Sequence, residues 1–181
     1  MIKPLAIVTT AMLSALFSVS LHDQAKAEPK SAIPPELQVL EARIGIWDSE
    51  TTTKPSAQVP NGSKTHGVET NEWILGGRFQ QTSNKNRPDS FDNSLLVTYD
   101  SPKKAFRVWF FDDLGNNVVG TGKWDEKKKT LTWDERTDEA GQRTTGYWRF
   151  VDKDNYEWGS VTKDRAGTVM YDATCKLKRR Q

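Results

Sequence analysis

The sequence has very few of the residues that build metal sites and nucleophilic centres. Among its 181 residues there are one cysteine, Cys175, and two histidines, His22 and His66. A single cysteine cannot form an internal disulfide, and a Ser-His-Asp or Cys-His centre needs a histidine held beside the nucleophile. His66 and Glu69 are three residues apart, so on a strand they point to opposite faces. We therefore expect no catalytic residue of these kinds and no metal site.

The chain also lacks an excess of charge of either sign. Its 26 lysines and arginines nearly balance its 24 aspartates and glutamates, which gives a net charge of +2. A balance of this kind produces no overall field that would attract nucleic acid. A glycine-rich phosphate loop and a dinucleotide fingerprint are missing as well. We expect no nucleic-acid partner, and the sequence leaves the oligomeric state open.

Long apolar runs are missing except at the start of the chain. Lys3 is followed by residues 5–21, which are mostly apolar and uncharged, and an Ala-Lys-Ala site ends at residue 27. These are the three parts of a secretory signal peptide, and the run is shorter than the roughly 20 residues of a spanning helix. The prediction is a signal peptide over residues 1–27, export to the periplasm or the medium, no membrane span, and a single domain over residues 28–181.

The chain is rich in aromatic residues, with seven tryptophans, seven phenylalanines and four tyrosines. They lie in short alternating runs separated by turn residues, which is typical of an antiparallel barrel. The predicted strands centre on Trp47, Thr70, Phe79, Val97, Val108, Thr121, Trp133, Trp148, Trp158 and Ala173. The predicted fold class is therefore all-β: an up-and-down antiparallel β-barrel of about ten strands.

One short helix is predicted before the first strand. Leu37, Leu40 and Ile44 have helical spacing after a Pro-Pro pair, and Gly45 ends the segment. We expect this helix to lie across one end of the barrel.

Turn lengths predict which side chains face the barrel interior, because antiparallel partners on one face keep a constant sum of residue numbers. We expect a loop with an odd number of residues near residue 139 and turns with an even number elsewhere. These lengths place aromatic residues, two arginines and one glutamate on the same inward face. Gly120 and Gly122 on that face leave room for a ligand. The predicted ligand-binding residues are Arg107, Trp109, Trp133, Glu135, Tyr147, Arg149, Trp158 and Tyr171.

Three functions fit this predicted interior. In the first, the barrel binds a small apolar or amphipathic ligand whose anionic head group is held by Arg149, with Arg107 and Tyr147. In the second, Glu135 neutralises the arginines and aromatic side chains fill the barrel, so the protein is structural or interacts through its surface. The third, an enzyme, would use Glu135, Tyr147 and Arg149 as an acid/base group.

Several motifs resemble known barrel families. Gly45-Ile46-Trp47 after a short helix resembles the Gly-x-Trp opening of lipocalin and calycin barrels, in which the tryptophan closes the base beneath a basic residue of the last strand. That resemblance implies Arg179 for the basic residue. Together with Leu75-Gly76-Gly77-Arg78-Phe79, Tyr99-Asp100 and Trp109-Phe110-Phe111-Asp112, it resembles an exported bacterial family catalogued as domain of unknown function 1579. This resemblance implies a calycin-like barrel and does not indicate an activity.

Two further resemblances concern ligands. Tyr147-Trp148-Arg149 is similar to the Arg and Tyr carboxylate clamp of intracellular fatty-acid-binding barrels, in reversed order. Haem-binding barrels of the nitrobindin type hold iron through a histidine of a late strand, where this chain offers Tyr171 and Cys175 instead. We therefore expect no haem and no other cofactor.

Overall fold

The computed structural model of the chain describes residues 33–87, 92–136 and 141–181, without the side chains of residues 86, 87, 135 and 136. The predicted signal peptide lies outside these residues and stays a prediction, which an intact mass beginning at Glu28 would confirm. No helix within the described ranges has both the length and the apolar character needed to cross a membrane.

One 3₁₀ helix, the N-terminal helix, runs over Pro35–Arg43 and is followed by ten strands. Their bounds are β1 Gly45–Thr53, β2 Ser63–Ile74, β3 Phe79–Arg87, β4 Asn93–Asp100, β5 Ala105–Asp112, β6 Asn117–Asp125, β7 Thr130–Arg136, β8 Arg143–Phe150, β9 Asn155–Lys163 and β10 Val169–Arg179. A 3₁₀ turn, Leu75–Gly77, joins β2 to β3 through residues with positive φ angles, which the two glycines adopt without steric cost.

The strands form a closed antiparallel barrel in which each strand pairs with its sequence neighbours. The barrel closes because β10 returns to β1, with Trp47 opposite Arg179 and Thr53 opposite Ala173. The predicted fold class is confirmed, and every predicted strand centre lies within an observed strand.

Side-chain size divides the barrel interior into two halves. In the base half, at the end that holds the N-terminal helix, many inward side chains are large and at most 3% exposed. They include Trp47, Phe106, Leu131, Trp148, Tyr156 and Leu177. In the mouth half, at the opposite end, most inward residues are smaller and remain partly exposed: Thr51, Gly67, Phe110, Val118, Thr144 and Ser160. The base is therefore packed, while solvent enters the mouth.

The N-terminal helix closes the base. Leu37, Leu40 and Arg43 are spaced by three residues, so they share one face of a 3₁₀ helix, and all three are buried. The two leucines pack into the main apolar cluster of the barrel. The Gln80 side-chain amide donates a hydrogen bond to the Leu40 carbonyl at 2.8 Å, which fixes the helix to β3.

Trp47 lies at the closed base, as predicted. Its ring is fully buried, and the guanidinium carbon of Arg179 lies 4.1 Å from the ring centre. Gly45 has a φ of +124°, and a Cβ there would come within 2.7 Å of Arg179 Nη1. The glycine of the Gly-x-Trp motif thus lets the arginine of the last strand reach over the tryptophan.

Candidate functional site

The structure divides the predicted ligand-binding residues between the two faces of the barrel. Trp133, Trp158 and Tyr171 occupy inward positions on β7, β9 and β10, in register with other interior residues. Four others point outwards, so their predicted place in the interior was wrong: Arg107, Trp109, Tyr147 and Arg149. Glu135 is in register with Gly120 on an inward position, and its side chain is among those that the structure does not describe.

The error at Arg107 and Trp109 comes from one turn. Phe111 pairs with Asn117, so the connection between β5 and β6 has an odd number of residues, 112–116, where the prediction used an even turn. A one-residue change in a turn moves every side chain of a strand to the other face. Phe106, Val108 and Phe110 are therefore the inward residues of β5.

The error at Tyr147 and Arg149 has the same cause at two turns. Residues 137–142 separate Arg136 from its partner Arg143, an even number, and residues 151–155 separate Phe150 from Tyr156, an odd number. Both were predicted with the opposite parity. The two errors cancel after β8, so the predicted faces of β9 and β10 are correct.

Tyr147 and Arg149 form a small polar cluster on the outer surface. Arg149 Nη2 lies 2.5 Å from Glu157 Oε1, and the Tyr147 hydroxyl donates to the same oxygen at 3.3 Å. Burial against Gly159 and the nearby Glu157 carboxylate raise the pKa of Tyr147. The Arg149 side chain is 54% exposed, so this cluster is a surface ion pair, and the acid/base group proposed with Glu135 does not assemble in the interior.

A groove of about 490 Å³ runs beside Tyr147 on the outside of β7 to β10. Its charged residues, Lys54 and Asp172, already form an ion pair at 2.8 Å. Because these charges are paired and the groove lies mainly on the outer surface, we place the candidate site inside the mouth half.

The mouth half has two chemically different walls. Strands β8, β9, β10, β1 and β2 are consecutive around the barrel, and they present inward hydroxyl groups. This hydroxyl wall consists of Thr51, Thr65, Thr144, Ser160, Thr162 and Tyr171. The opposite, apolar wall consists of Leu95, Phe110 and Val118 on β4 to β6, with Trp133 and Trp158 towards the floor. Between the two walls, Asn84 Nδ2 on β3 donates to Asn93 Oδ1 on β4 at 2.8 Å. The arrangement suits an apolar molecule with polar groups along one edge.

Several groups of the hydroxyl wall are held by their neighbours. Thr144 Oγ1 and Thr162 Oγ1 are 2.8 Å apart, and Tyr171 is hydrogen-bonded to Thr53. Each hydroxyl has one donor and two acceptor positions. Pairing therefore orients these groups and leaves hydrogen-bonding positions for a ligand.

A buried polar network lies below the mouth half. Glu69 Oε1 accepts hydrogen bonds from Arg43 Nη2 at 3.1 Å, from Asn71 Nδ2 at 2.7 Å and from the Tyr156 hydroxyl. Thr82 accepts from Arg43 at 3.0 Å and donates to Asn71. All five residues are at most 2% exposed, so this network is sealed from solvent beneath the mouth half.

Arg43 is the central cation of this network. Its guanidinium carbon lies 4.1 Å from the Trp148 ring centre, while Nε and Nη1 have no hydrogen-bond partner within the described part of the chain. Burial lowers the pKa of Arg43, and the Glu69 carboxylate opposes that shift. An arginine nevertheless stays protonated in proteins, so the pair is an ion pair.

Sequence reasoning missed this network, although one signal was present. Arg43 follows Leu37 and Leu40 at the same spacing of three, which places it on the buried face of the helix. Glu69 and Thr82 gave no signal, since they alternate with residues of similar polarity.

Cys175 is buried beside Thr51, and burial raises the pKa of its thiol to about 12. It is therefore a packing residue with little thiolate at neutral pH. Within the described residues, no group of three or more His, Cys, Asp or Glu side chains could hold a metal ion.

Comparisons with known proteins give a family and a fold. Among solved structures, Rv2717c from M. tuberculosis aligns with a TM-score of 0.64 at 10% identity, covering 82% of this chain and 99% of that chain. The S-type phycobiliprotein lyase CPES from Guillardia theta aligns with a TM-score of 0.60 at 11% identity, covering 80% and 92%. At such identities the likeness shows a shared calycin-like barrel fold.

The comparison with curated proteins finds no match. The family model described as "Protein of unknown function (DUF1579)" matches residues 34–179, which include the helix, the Gly-x-Trp motif and all ten strands. The chain therefore belongs to the DUF1579 family.

Proposed function

We propose that this protein binds a small, largely apolar molecule in the mouth half of its barrel. One observation carries the proposal: most inward residues of the mouth half, among them Thr51, Thr144 and Ser160, remain partly exposed, while the core of the base half around Trp47, Leu131 and Tyr156 is sealed. A barrel with a packed floor and an open mouth is the usual shape of a small-molecule site in this kind of fold.

The filled-barrel alternative loses support from the corrected strand faces. Trp109, Phe111 and Tyr147 lie on the outer surface, so they do not occupy interior volume. The mouth half instead has Gly67, Thr144 and Ser160 at inward positions. Side chains this small leave space above the floor.

The anionic head group suggested by Arg107 and Arg149 also loses its support, because both guanidinium groups lie outside the barrel. Arg43, a buried arginine of the interior, is already paired with Glu69 at 3.1 Å, and Arg179 lies over the Trp47 ring at the base. The proposal therefore keeps the apolar ligand without an anion anchor.

Ser160→Phe tests whether the mouth half is the binding site. Ser160 is an inward, partly exposed residue of β9, and a benzyl group there would occupy the cavity without entering the packed base. We expect the affinity for the neutral fluorophore 9-(hydroxymethyl)anthracene, measured by energy transfer from tryptophan, to fall at least tenfold.

Thr145→Phe is the matched control, because Thr145 lies on the outer face of the neighbouring strand and is exposed. It should leave the affinity unchanged. Equal affinity in wild type and Ser160→Phe, or no binding to the wild type, would contradict the proposal.

A further inference from the structure

We propose that the ligand of the mouth half carries no negative charge and has hydroxyl or carbonyl groups along one edge. This inference rests on the proposed binding function and names the chemical class of the molecule. It follows from the charges, the hydroxyl wall and the apolar wall of the same cavity.

The mouth half offers no cation to an anionic ligand. Within residues 33–87, 92–136 and 141–181, no lysine or arginine takes an inward register position there. Two acidic residues take inward register positions there: Asp112 at the rim, whose carboxylate accepts from the backbone N–H groups of Leu114 and Asn116, and Glu135, which is in register with Gly120. A carboxylate moved from water into this cavity would lose hydration without gaining a counter-ion, which is costly.

Arg43 does not change this conclusion. It is 1% exposed, and Glu69 beside it is 2% exposed, so the pair is neutral and sealed from the cavity. An anion that reached the unpartnered Nε or Nη1 would stand next to the Glu69 carboxylate, and the interior would then hold an excess negative charge. A neutral molecule avoids this repulsion.

The hydroxyl wall can recognise an uncharged polar group. The Oγ1 atoms of Thr144 and Thr162 are 2.8 Å apart. Ser160 lies on β9, which is between β8, the strand of Thr144, and β10. A hydroxyl can donate or accept, so this wall fits an alcohol or a carbonyl equally well. A neutral hydrogen bond of this kind gives orientation without the desolvation cost of a charge.

The apolar wall determines the rest of the ligand. Trp133 and Trp158 lie towards the floor, and Trp133 is fixed against Trp148 with ring centres 4.5 Å apart. Leu95, Phe110 and Val118 complete the apolar side. A flat apolar ring system would contact these side chains while its polar edge faces the hydroxyl wall.

Two anthracene probes that share one ring system test the inference: 9-(hydroxymethyl)anthracene and anthracene-9-carboxylate. We expect the neutral alcohol to bind at least tenfold more tightly than the carboxylate. Tighter or equal binding of the carboxylate would overturn the inference while leaving the proposed function intact. Binding of neither probe would contradict the proposed function itself.

Two variants connect the preference to the hydroxyl wall. Thr144→Val removes an inward hydroxyl with little change in shape, and we expect it to lower the affinity for the alcohol about fivefold while unsubstituted anthracene binds as before. Arg149→Met on the outer surface is the matched control and should change neither affinity. An equal loss for the alcohol and for anthracene in Thr144→Val would indicate altered packing and overturn the role assigned to the hydroxyl wall.

Discussion

Replacing Glu69 by leucine is expected to lower the free energy of unfolding by about 3–5 kcal/mol, because the substitution leaves a buried guanidinium without its counter-ion. Glu69 Oε1 accepts from Arg43, Asn71 and Tyr156. After the substitution, the Arg43 guanidinium would keep its hydrogen bond to Thr82 and its contact with the Trp148 ring but would have no counter-ion, and Asn71 and Tyr156 would each lose an acceptor. Urea unfolding followed by tryptophan fluorescence measures the change.

A substitution of the other partner, Arg43, distinguishes the contribution of the cation from that of the carboxylate. Arg43→Met removes the cation but leaves Glu69 with the donors Asn71 and Tyr156, so we expect a smaller loss than for Glu69→Leu. The double variant should be more stable than Glu69→Leu alone, because no unpaired charge is buried.

Glu157→Leu is a matched control from the outer surface. Its partner Arg149 is 54% exposed, and exposed ion pairs contribute roughly 0–1 kcal/mol. Similar small losses for Glu69→Leu and Glu157→Leu would contradict the account of a sealed network below the cavity.

Trp47→Ala is the second change with a large expected effect. The ring is fully buried, it meets the edge of Tyr156 with ring centres 4.7 Å apart, and its N–H donates to the Arg43 carbonyl at 2.7 Å. Loss of such a ring costs about 3–5 kcal/mol, and the Arg179 contact adds about 0.5–2 kcal/mol.

Trp109→Ala provides the comparison for Trp47→Ala, since Trp109 is an outward, partly exposed tryptophan. We expect Trp109→Ala to lower the midpoint of thermal unfolding clearly less than Trp47→Ala does. A melting temperature of Trp47→Ala equal to that of the wild type would rule out the role of Trp47 in closing the base.

The barrel was predictable from the sequence because its signals are local. Alternating aromatic runs and turn residues mark each strand independently of its neighbours, so a mistake in one turn does not affect the number of strands. The Gly-x-Trp motif was predictable for the same reason, since Gly45 and Trp47 need only the strand that they begin. The base closed by Trp47 and Arg179 was expected from the resemblance of this motif to lipocalin and calycin barrels, and the structure confirms it.

The candidate site was harder to predict, because whether a side chain points into or out of the barrel depends on the number of residues in every turn between strands. The turn over residues 112–116 is one residue different in length from the predicted turn, which places Arg107 and Trp109 on the outer surface. The same kind of error in the turns on either side of β8 put Tyr147 and Arg149 on the wrong face in the prediction. Trp133, Trp158 and Tyr171 kept their inward positions. The polar network was missed because β3 turns Gln80 and Thr82 inwards, against the usual rule that apolar residues face the core.

The central claim is that the mouth half binds the ligand while the base half stays closed, and the indole N–H signals of the tryptophans test it most directly. In a ¹H–¹⁵N NMR titration with 9-(hydroxymethyl)anthracene, we predict large shifts for Trp133 and Trp158. Trp47 in the base and Trp109 on the outer surface should not move. Shifts confined to Trp47 or Trp109, or no shift at a saturating concentration of the probe, would contradict the claim.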